Sequence, residues 1–161
     1  MTNSACTEYK VKSHTERSHK IMKIRLDDVM QSMSYPYEAS YYYYIPLETV
    51  LMFLDGKIYG KAVFGISKES ETERRREDFI KLPDLGEEGR LKVMSGFVNS
   101  LDESESKEHL RTALSMADAA QYWEDMVAEE KLLMEWYTYR DEIHREFARR
   151  WCDSMGLEAV E

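Results

Sequence analysis

The chain has 161 residues, 43% of them hydrophobic, which is enough for one domain with its own core and excludes a disordered chain. Its net charge of −9 argues against direct binding to nucleic acids, whose phosphates are bound by an excess of Lys and Arg. The longest apolar runs, such as residues 50–54, are too short to span a membrane. The N-terminal part lacks the apolar stretch that a secretory signal contains, so no such signal is predicted.

Residues 1–21 are polar and lack apolar periodicity, which predicts a disordered tail before a single α+β domain over residues 22–161. Met22 is an alternative start of the native chain. The charge is unevenly distributed, since residues 1–25 carry six basic and two acidic side chains. Residues 84–130 instead carry twelve acidic and four basic side chains, so this part should present an acidic surface.

A short N-terminal helix is predicted at the start of the domain. Leu26, Val29, Met30 and Met33 follow the spacing of a helix with one buried face, and Pro36 ends it. Two acidic residues lie near its beginning, where carboxylates stabilise the unpaired N–H groups of the first helical turn.

A small antiparallel sheet of two to three strands is predicted after this helix. Residues 40–45 include four consecutive tyrosines, which favour a strand, and residues 50–54 form a second apolar run. An Asp-Gly turn signal follows, so residues 57–66 can return as a third strand. Residues 67–78 are highly charged and form either a solvated helix or a mobile loop.

The remaining sequence predicts a C-terminal bundle of about four helices. Pairs that resemble capping boxes begin at Asp84, Asp102 and Ser115, and each precedes a periodic stretch. The last helix is the longest, roughly residues 129–155, and Gly156 supplies its C-terminal stop. Its predicted buried stripe consists of Leu132, Trp136, Tyr139, Ile143, Phe147 and Trp151.

Three C-terminal segments carry a family resemblance. Residues 97–101 have the sequence Phe-Val-Asn-Ser-Leu, residues 136–142 have Trp-Tyr-Thr-Tyr-Arg-Asp-Glu, and residues 148–152 have Ala-Arg-Arg-Trp-Cys. With these segments the chain resembles a bacterial family, the uncharacterised protein family 0158, over about residues 22–160. The resemblance supports the α+β fold and implies no particular activity.

The sequence contains no recognisable catalytic, metal-binding or cofactor-binding motif. His109 and His144 have polar neighbours of the kind that charged helices produce by chance, so no metal is expected. Neither a nucleophile motif nor a Gly-rich phosphate loop occurs, so no catalytic residue and no cofactor is assigned. Cys6 and Cys152 lack metal-type or redox-type spacing, which is typical of free thiols in a cytoplasmic protein.

Seven residues are candidates for an interaction surface, because Trp, Tyr and Arg are over-represented at binding hot spots. They are Trp136, Tyr137, Arg140, Asp141 and His144 on the last helix, and Tyr42 and Tyr44 on the tyrosine strand. The competing interpretation places Trp136 in the core and pairs Arg140 with a carboxylate at its border. Because strand side chains alternate, Tyr42 and Tyr44 share one face, and we expect one face in the core and the other exposed.

The leading functional hypothesis is a non-catalytic, acidic protein-interaction module of the bacterial cytosol with a basic protein partner. A special case is an inhibitor that presents carboxylates to a nucleic-acid enzyme. The alternative is a small-molecule-binding protein or unrecognised enzyme, with a cleft between sheet and helices that uses Arg140, Asp141, His144 and a strand tyrosine. Direct nucleic-acid binding through the tail and residues 74–76 is a third hypothesis that the acidic charge disfavours. No membrane partner is expected.

Overall fold

The structure, a computed structural model, describes residues 21–34 and 36–161. Apart from Ile21, the predicted tail lies outside the described residues, and so does Cys6. In chain order the strands and helices are β1 (Lys23–Arg25), α1 (Leu26–Gln31), β2 (Ser40–Tyr44), β3 (Thr49–Leu54), β4 (Lys57–Tyr59), β5 (Phe79–Lys81), α2 (Gly86–Ser100), α3 (Glu105–Leu114), α4 (Ala119–Glu129), α5 (Leu133–Ser154) and β6 (Glu158–Val160). This is an α+β architecture, as the sequence predicts.

The tyrosine strand β2 lies inside an antiparallel sheet of order β4-β3-β2-β5. Tyr42 is opposite Leu51 of β3 on one side and Lys81 of β5 on the other. The predicted sheet of two to three strands was therefore too small, because β5 adds a fourth strand. The predicted third strand was too long, since β4 ends at Tyr59 and the chain then turns away at Gly60.

Gly60 is required where the chain leaves β4. Its φ is +120°, and a Cβ there would lie 2.9 Å from the carbonyl oxygen of Val50 and 3.0 Å from Cδ2 of Leu51. We expect Gly60→Ala to lower the free energy of unfolding by about 2–3 kcal/mol, measured by denaturant titration. Gly56→Ala is the matched control, because Gly56 also has a positive φ but no atom within 4 Å of its Cβ position. It should cost only about 1 kcal/mol. Equal losses would contradict the close approach to β3.

Both faces of the tyrosine strand are buried, because the charged segment after β4 covers the outer face. Tyr41 and Tyr43 pack in a cluster with Val29 of α1. Tyr42 and Tyr44 pack in a second cluster whose other buried members are Leu51, Phe53, Val63, Ile66 and Phe79. The expectation that one tyrosine face is exposed was wrong, since all four tyrosines are at most 9% exposed.

The covering segment contains a 3₁₀ helix, Glu69–Arg75, that is bonded to the sheet. The Tyr42 hydroxyl donates to Glu69 Oε1 at 2.8 Å, and Arg75 Nη2 donates to the Tyr44 hydroxyl at 3.0 Å. Burial, reinforced by the Glu69 carboxylate, raises the pKa of Tyr42 to about 12. Residues 67–78 thus contain a helical segment, as one of the two alternatives predicted, but a 3₁₀ helix that is bonded to the sheet and buries Thr72.

The longest helix, α5, buries a different row of side chains from the one that was predicted. Trp136 is buried as expected, followed by His144, Ala148 and Cys152. The exposed fractions of Ile143 and Phe147, which belong to the predicted stripe, are 37% and 36%. Trp136 packs in the cluster shared by α2 to α5, whereas Ala148 and Cys152 pack in the cluster around β1 and α1.

Beyond α5, the chain returns to the beginning of the domain. β6 pairs with β1 in parallel, with Ala159 opposite Ile24. Arg145 and Arg149 of α5 both donate to the Glu161 carboxylate, at 2.9 and 2.6 Å. These contacts fix the C-terminal half of α5 beside α1 and leave its N-terminal half to pack on the bundle.

Candidate functional site

The structure separates the seven predicted surface residues into buried and accessible groups. Trp136 and His144 are 3% and 6% exposed, so neither is available at the surface. The tyrosine pair of β2 is covered by residues 60–78, as described above. Tyr137 and Arg140 are partly accessible and Asp141 is exposed, so only these three remain together at the surface of α5.

Arg140 is held by groups of the protein itself. Its guanidinium lies 4.7 Å from the centre of the Tyr137 ring, and Nη2 donates to Asp141 Oδ1 at 3.1 Å. Nη1 pairs with Glu124 Oε1 of α4 at 3.5 Å, and the Tyr137 hydroxyl donates to Glu124 Oε2 at 3.3 Å. The predicted pairing of Arg140 with a border carboxylate therefore holds, and this group connects α4 to α5.

Two other titratable groups of α5, His144 and Cys152, are buried in the core. Burial, aided by the positive charge of Arg140, lowers the pKa of His144 to about 4, so its imidazole is neutral at physiological pH. Cys152 is fully buried, and burial raises the pKa of its thiol, which opposes formation of the reactive thiolate. Among residues 21–34 and 36–161, no group of three or more His, Cys, Asp or Glu side chains is placed to hold a metal ion.

An open groove of about 530 Å³ lies between the C-terminal half of α2 and the N-terminal half of α5. Its apolar lining comes from Phe97, Leu101, Met134 and Tyr139. The rings of Phe97 and Tyr139 are 5.6 Å apart, and the Tyr139 hydroxyl lies against Gly96, where a Cβ would displace it. Met134, beside this packed aromatic pair, is 73% exposed.

Two carboxylates form the polar rim of this groove. Glu135 and Glu142 lie one helical turn to either side of Tyr139, so all three share one side of α5. Both carboxylates are exposed, and neither forms a salt bridge with any described residue. The groove therefore combines an apolar floor with uncompensated negative charge.

The neighbouring helices strengthen this negative field, because the four basic residues of positions 84–130 are engaged locally. They pair as Lys92 with Glu88 at 3.7 Å, Lys107 with Glu103 at 3.0 Å and Arg111 with Glu108, while Arg90 lies 4.3 Å from the Tyr37 ring centre. Lys107 is itself 7% exposed and also donates to the carbonyl of Leu101. The carboxylates of α3 and α4 are exposed to solvent.

A second groove, of about 430 Å³, touches the sheet and α1. It is lined by Gln31, Ser34, Pro36, Tyr41, Val50, Met52, Tyr59 and Gly60. It includes a strand tyrosine but not Arg140, Asp141 or His144, so this groove does not bring together the residues that the sequence suggested for a small-molecule site.

The groove between α2 and α5 was not predicted as a site, although the sequence contained a signal for it. Two of the three segments that carry the family resemblance, residues 97–101 and 136–142, contribute most of its lining. Tyr139 was predicted in the buried stripe of the last helix, and neither Met134 nor Glu135 was among the candidate residues.

The comparisons with known proteins agree with the resemblance. The model of an uncharacterised protein family (UPF0158) matches residues 19–161, which confirms the family suspected over about residues 22–160. No curated protein and no solved structure matches the chain. Within the described residues, none of the helices has the length and apolar character needed to cross a membrane.

Proposed function

This chain belongs to the uncharacterised protein family UPF0158, and we propose that it is a non-catalytic module that binds a basic segment of a protein partner in the groove between α2 and α5. The observation that carries the proposal is an open groove with an apolar lining, in which Met134 is exposed, and with two rim carboxylates that form no salt bridge with a described residue. A segment with apolar side chains on one face and Lys or Arg beside them would satisfy both features.

The apolar floor supplies the attraction. Met134 is unbranched and polarisable, so it adapts to different apolar side chains, and it lies beside the fixed aromatic pair of Phe97 and Tyr139. Burying apolar surface contributes about 25 cal/mol for each Å² removed from water. A groove that is open along its length is suited to an elongated segment, such as an amphipathic helix.

The rim supplies the selectivity. Glu135 and Glu142 attract cations and repel acidic segments, and the acidic field of α3 and α4 extends this preference over a wider surface. The partner is therefore a basic protein, and a nucleic-acid enzyme with a cationic substrate channel is one class that fits. In that case the acidic module would act as a cytosolic inhibitor or regulator by occupying the channel.

A charge-reversal experiment tests the proposal. The probe is a synthetic amphipathic peptide with leucines at helical spacing and lysines on its other face. We expect the double variant Glu135→Lys, Glu142→Lys to bind it about tenfold or more weakly than the wild type, measured by fluorescence anisotropy. The wild-type affinity should also fall as salt is raised, because exposed charges are screened.

A matched double variant controls for net charge. Asp125→Lys and Glu129→Lys change two exposed carboxylates of α4 that form no salt bridge with a described residue, and they alter the total charge equally. They lie outside the groove, so their effect on peptide binding should be several-fold smaller. If both double variants weaken binding to the same extent, long-range charge alone explains the affinity and the groove is not the site.

A further inference from the structure

Phe64 is 98% exposed, the highest value among the large hydrophobic side chains of the described residues. It occupies the tip of a tight turn in which the Ile66 amide donates to the Val63 carbonyl at 3.1 Å. Gly65 follows it with a φ of +80°, as the third residue of a type II turn requires. Val63 and Ile66 are buried in the cluster on the outer face of the sheet, so the turn is anchored on both sides of Phe64.

Arg75 of the 3₁₀ helix holds this turn in place by hydrogen bonds. Its Nη1 donates to the Phe64 carbonyl oxygen at 2.6 Å, while Nη2 reaches both Asp78 and the Tyr44 hydroxyl. The backbone of Phe64 is therefore tied to the 3₁₀ cover and, through it, to β2. Because the backbone of Phe64 is already fixed, binding of the ring costs only the rotamer freedom of the side chain, which favours its use as an aromatic anchor.

The charge around Phe64 indicates what kind of surface can bind it. Residues 56–68 contain three lysines, Lys57, Lys61 and Lys68, and no acidic residue. All three are exposed, and none forms a salt bridge with a described residue. In a chain with a net charge of −9, this turn presents an aromatic ring with lysines on both sides of it in the sequence. Its receptor must offer an apolar pocket with carboxylates beside it.

We propose that the receptor is a second copy of this chain, whose groove between α2 and α5 accepts Phe64 while Glu135 and Glu142 meet Lys61 and Lys68. The proposal rests on the proposed function, since the turn is one segment of the basic and apolar kind that the groove binds. The groove volume of about 530 Å³ leaves ample room for one phenyl ring. Its floor and its charge are both complementary to the turn.

The contact has to be made between copies. Phe64 is almost fully exposed in its own chain, and its turn is anchored on the sheet, whereas the groove belongs to the cluster of the helical bundle. Contacts of this kind give either a two-fold dimer with two reciprocal insertions or a head-to-tail ring or filament. Self-association also covers the groove, so it competes with the basic partner and makes partner binding dependent on protein concentration.

Sedimentation of the full chain over a range of concentrations tests this inference. We expect reversible association of the wild type, and Phe64→Ser should weaken it at least tenfold without changing the melting temperature, because the ring contacts little of its own chain. Met116→Ser is the matched control, since Met116 is 58% exposed on the helical bundle outside the groove, and it should associate like the wild type. A wild type that stays monomeric, or a Phe64→Ser variant that associates normally, would overturn the inference.

A charge swap identifies the two surfaces. One variant carries Lys61→Glu and Lys68→Glu, which makes the turn acidic like the groove, and the other carries Glu135→Lys and Glu142→Lys, which makes the groove basic like the turn. Each should be monomeric alone because its two surfaces repel, and mixing them should restore association. Association of either variant alone, or none on mixing, would overturn the inference.

The lysine–leucine peptide separates the two proposals. If the wild-type chain does not self-associate but its groove binds that peptide, the second copy is not the partner. The proposed function would still hold in that case. Failure of the peptide to bind a monomeric wild type would remove both.

Discussion

Trp136→Ala is expected to lower the free energy of unfolding by about 3–5 kcal/mol, as truncation of a buried aromatic side chain does. Trp136 is 3% exposed, and its ring centre lies 5.4 Å from that of Phe97 and 5.5 Å from that of Trp123, with both neighbouring rings inclined steeply to it. Removal of the indole would leave a cavity where α2, α4 and α5 meet. Denaturant unfolding followed by circular dichroism would measure the loss.

Tyr122→Ala provides the control for this prediction, because Tyr122 is 48% exposed on α4. Its replacement should change the stability by less than about 1 kcal/mol. Because Phe97 also lines the groove, Trp136→Ala should weaken peptide binding as well, through the loss of a fixed floor. An unchanged melting temperature for Trp136→Ala would mean that this residue is exposed in solution and that the described core is incorrect.

The second large effect is a loss of stability in acid that His144 causes. The pKa of His144 is lowered from 6.5 to about 4 in the folded protein, first by burial and then by Arg140, against the opposing effect of Asp141. Between these two values the unfolded chain binds a proton that the folded protein does not bind. Stability is therefore complete above about pH 6.5 and falls as the pH decreases towards 4, by about 3 kcal/mol from this group.

His144→Leu isolates this contribution, because leucine fills similar space and does not titrate. Unfolding of both proteins should be measured between pH 4 and pH 7, where carboxylates shared by both also titrate. The stability of the wild type relative to the variant should decrease by about 3 kcal/mol from pH 7 to pH 4. Parallel stability curves would show that the imidazole is accessible to protons in the folded state.

The helical half of the fold could be predicted because its signals are local. Leu91, Met94, Phe97 and Val98 recur at helical spacing, and Gly156 takes the positive φ that ends α5. The sheet was underestimated because its fourth strand depends on pairing between β2 and residues more than thirty positions later. The parallel pair of β1 and β6 joins three-residue segments at opposite ends of the domain, which no local pattern reveals.

The burial errors have a common cause. On α5 the buried row includes His144 and small residues, so hydrophobicity alone favours the neighbouring row with Ile143 and Phe147. On β2 the second face is covered by a segment that is mostly charged, and this segment packs on the sheet through two apolar residues, Val63 and Ile66, and through hydrogen bonds of Glu69 and Arg75. In both places polar side chains take part in the packing, and a pattern based on apolar residues does not reveal them.

The site was only partly predictable for a similar reason. The sequence singled out the segment that contains Trp136 and Arg140, but these residues face inward or bind the protein's own carboxylates. The site also needs accessible residues from this part of α5, namely Glu135, Tyr139 and Glu142. They form a groove only together with Phe97 and Leu101 on its other side. The acidic character of this region was predicted from composition, because the net charge of a segment can be counted without knowing which residues contact each other in the fold.

The most direct test of the groove is to map the bound lysine–leucine peptide by the backbone amide resonances of the protein. If the peptide lies in the groove, the largest shift changes should fall on the C-terminal half of α2 and the N-terminal half of α5, around Leu101 and Tyr139. They should be lost in the Glu135→Lys, Glu142→Lys variant. Changes spread over the exposed carboxylates of α3 and α4, with none in the groove, would contradict the proposed site and reduce the interaction to non-specific attraction between charges.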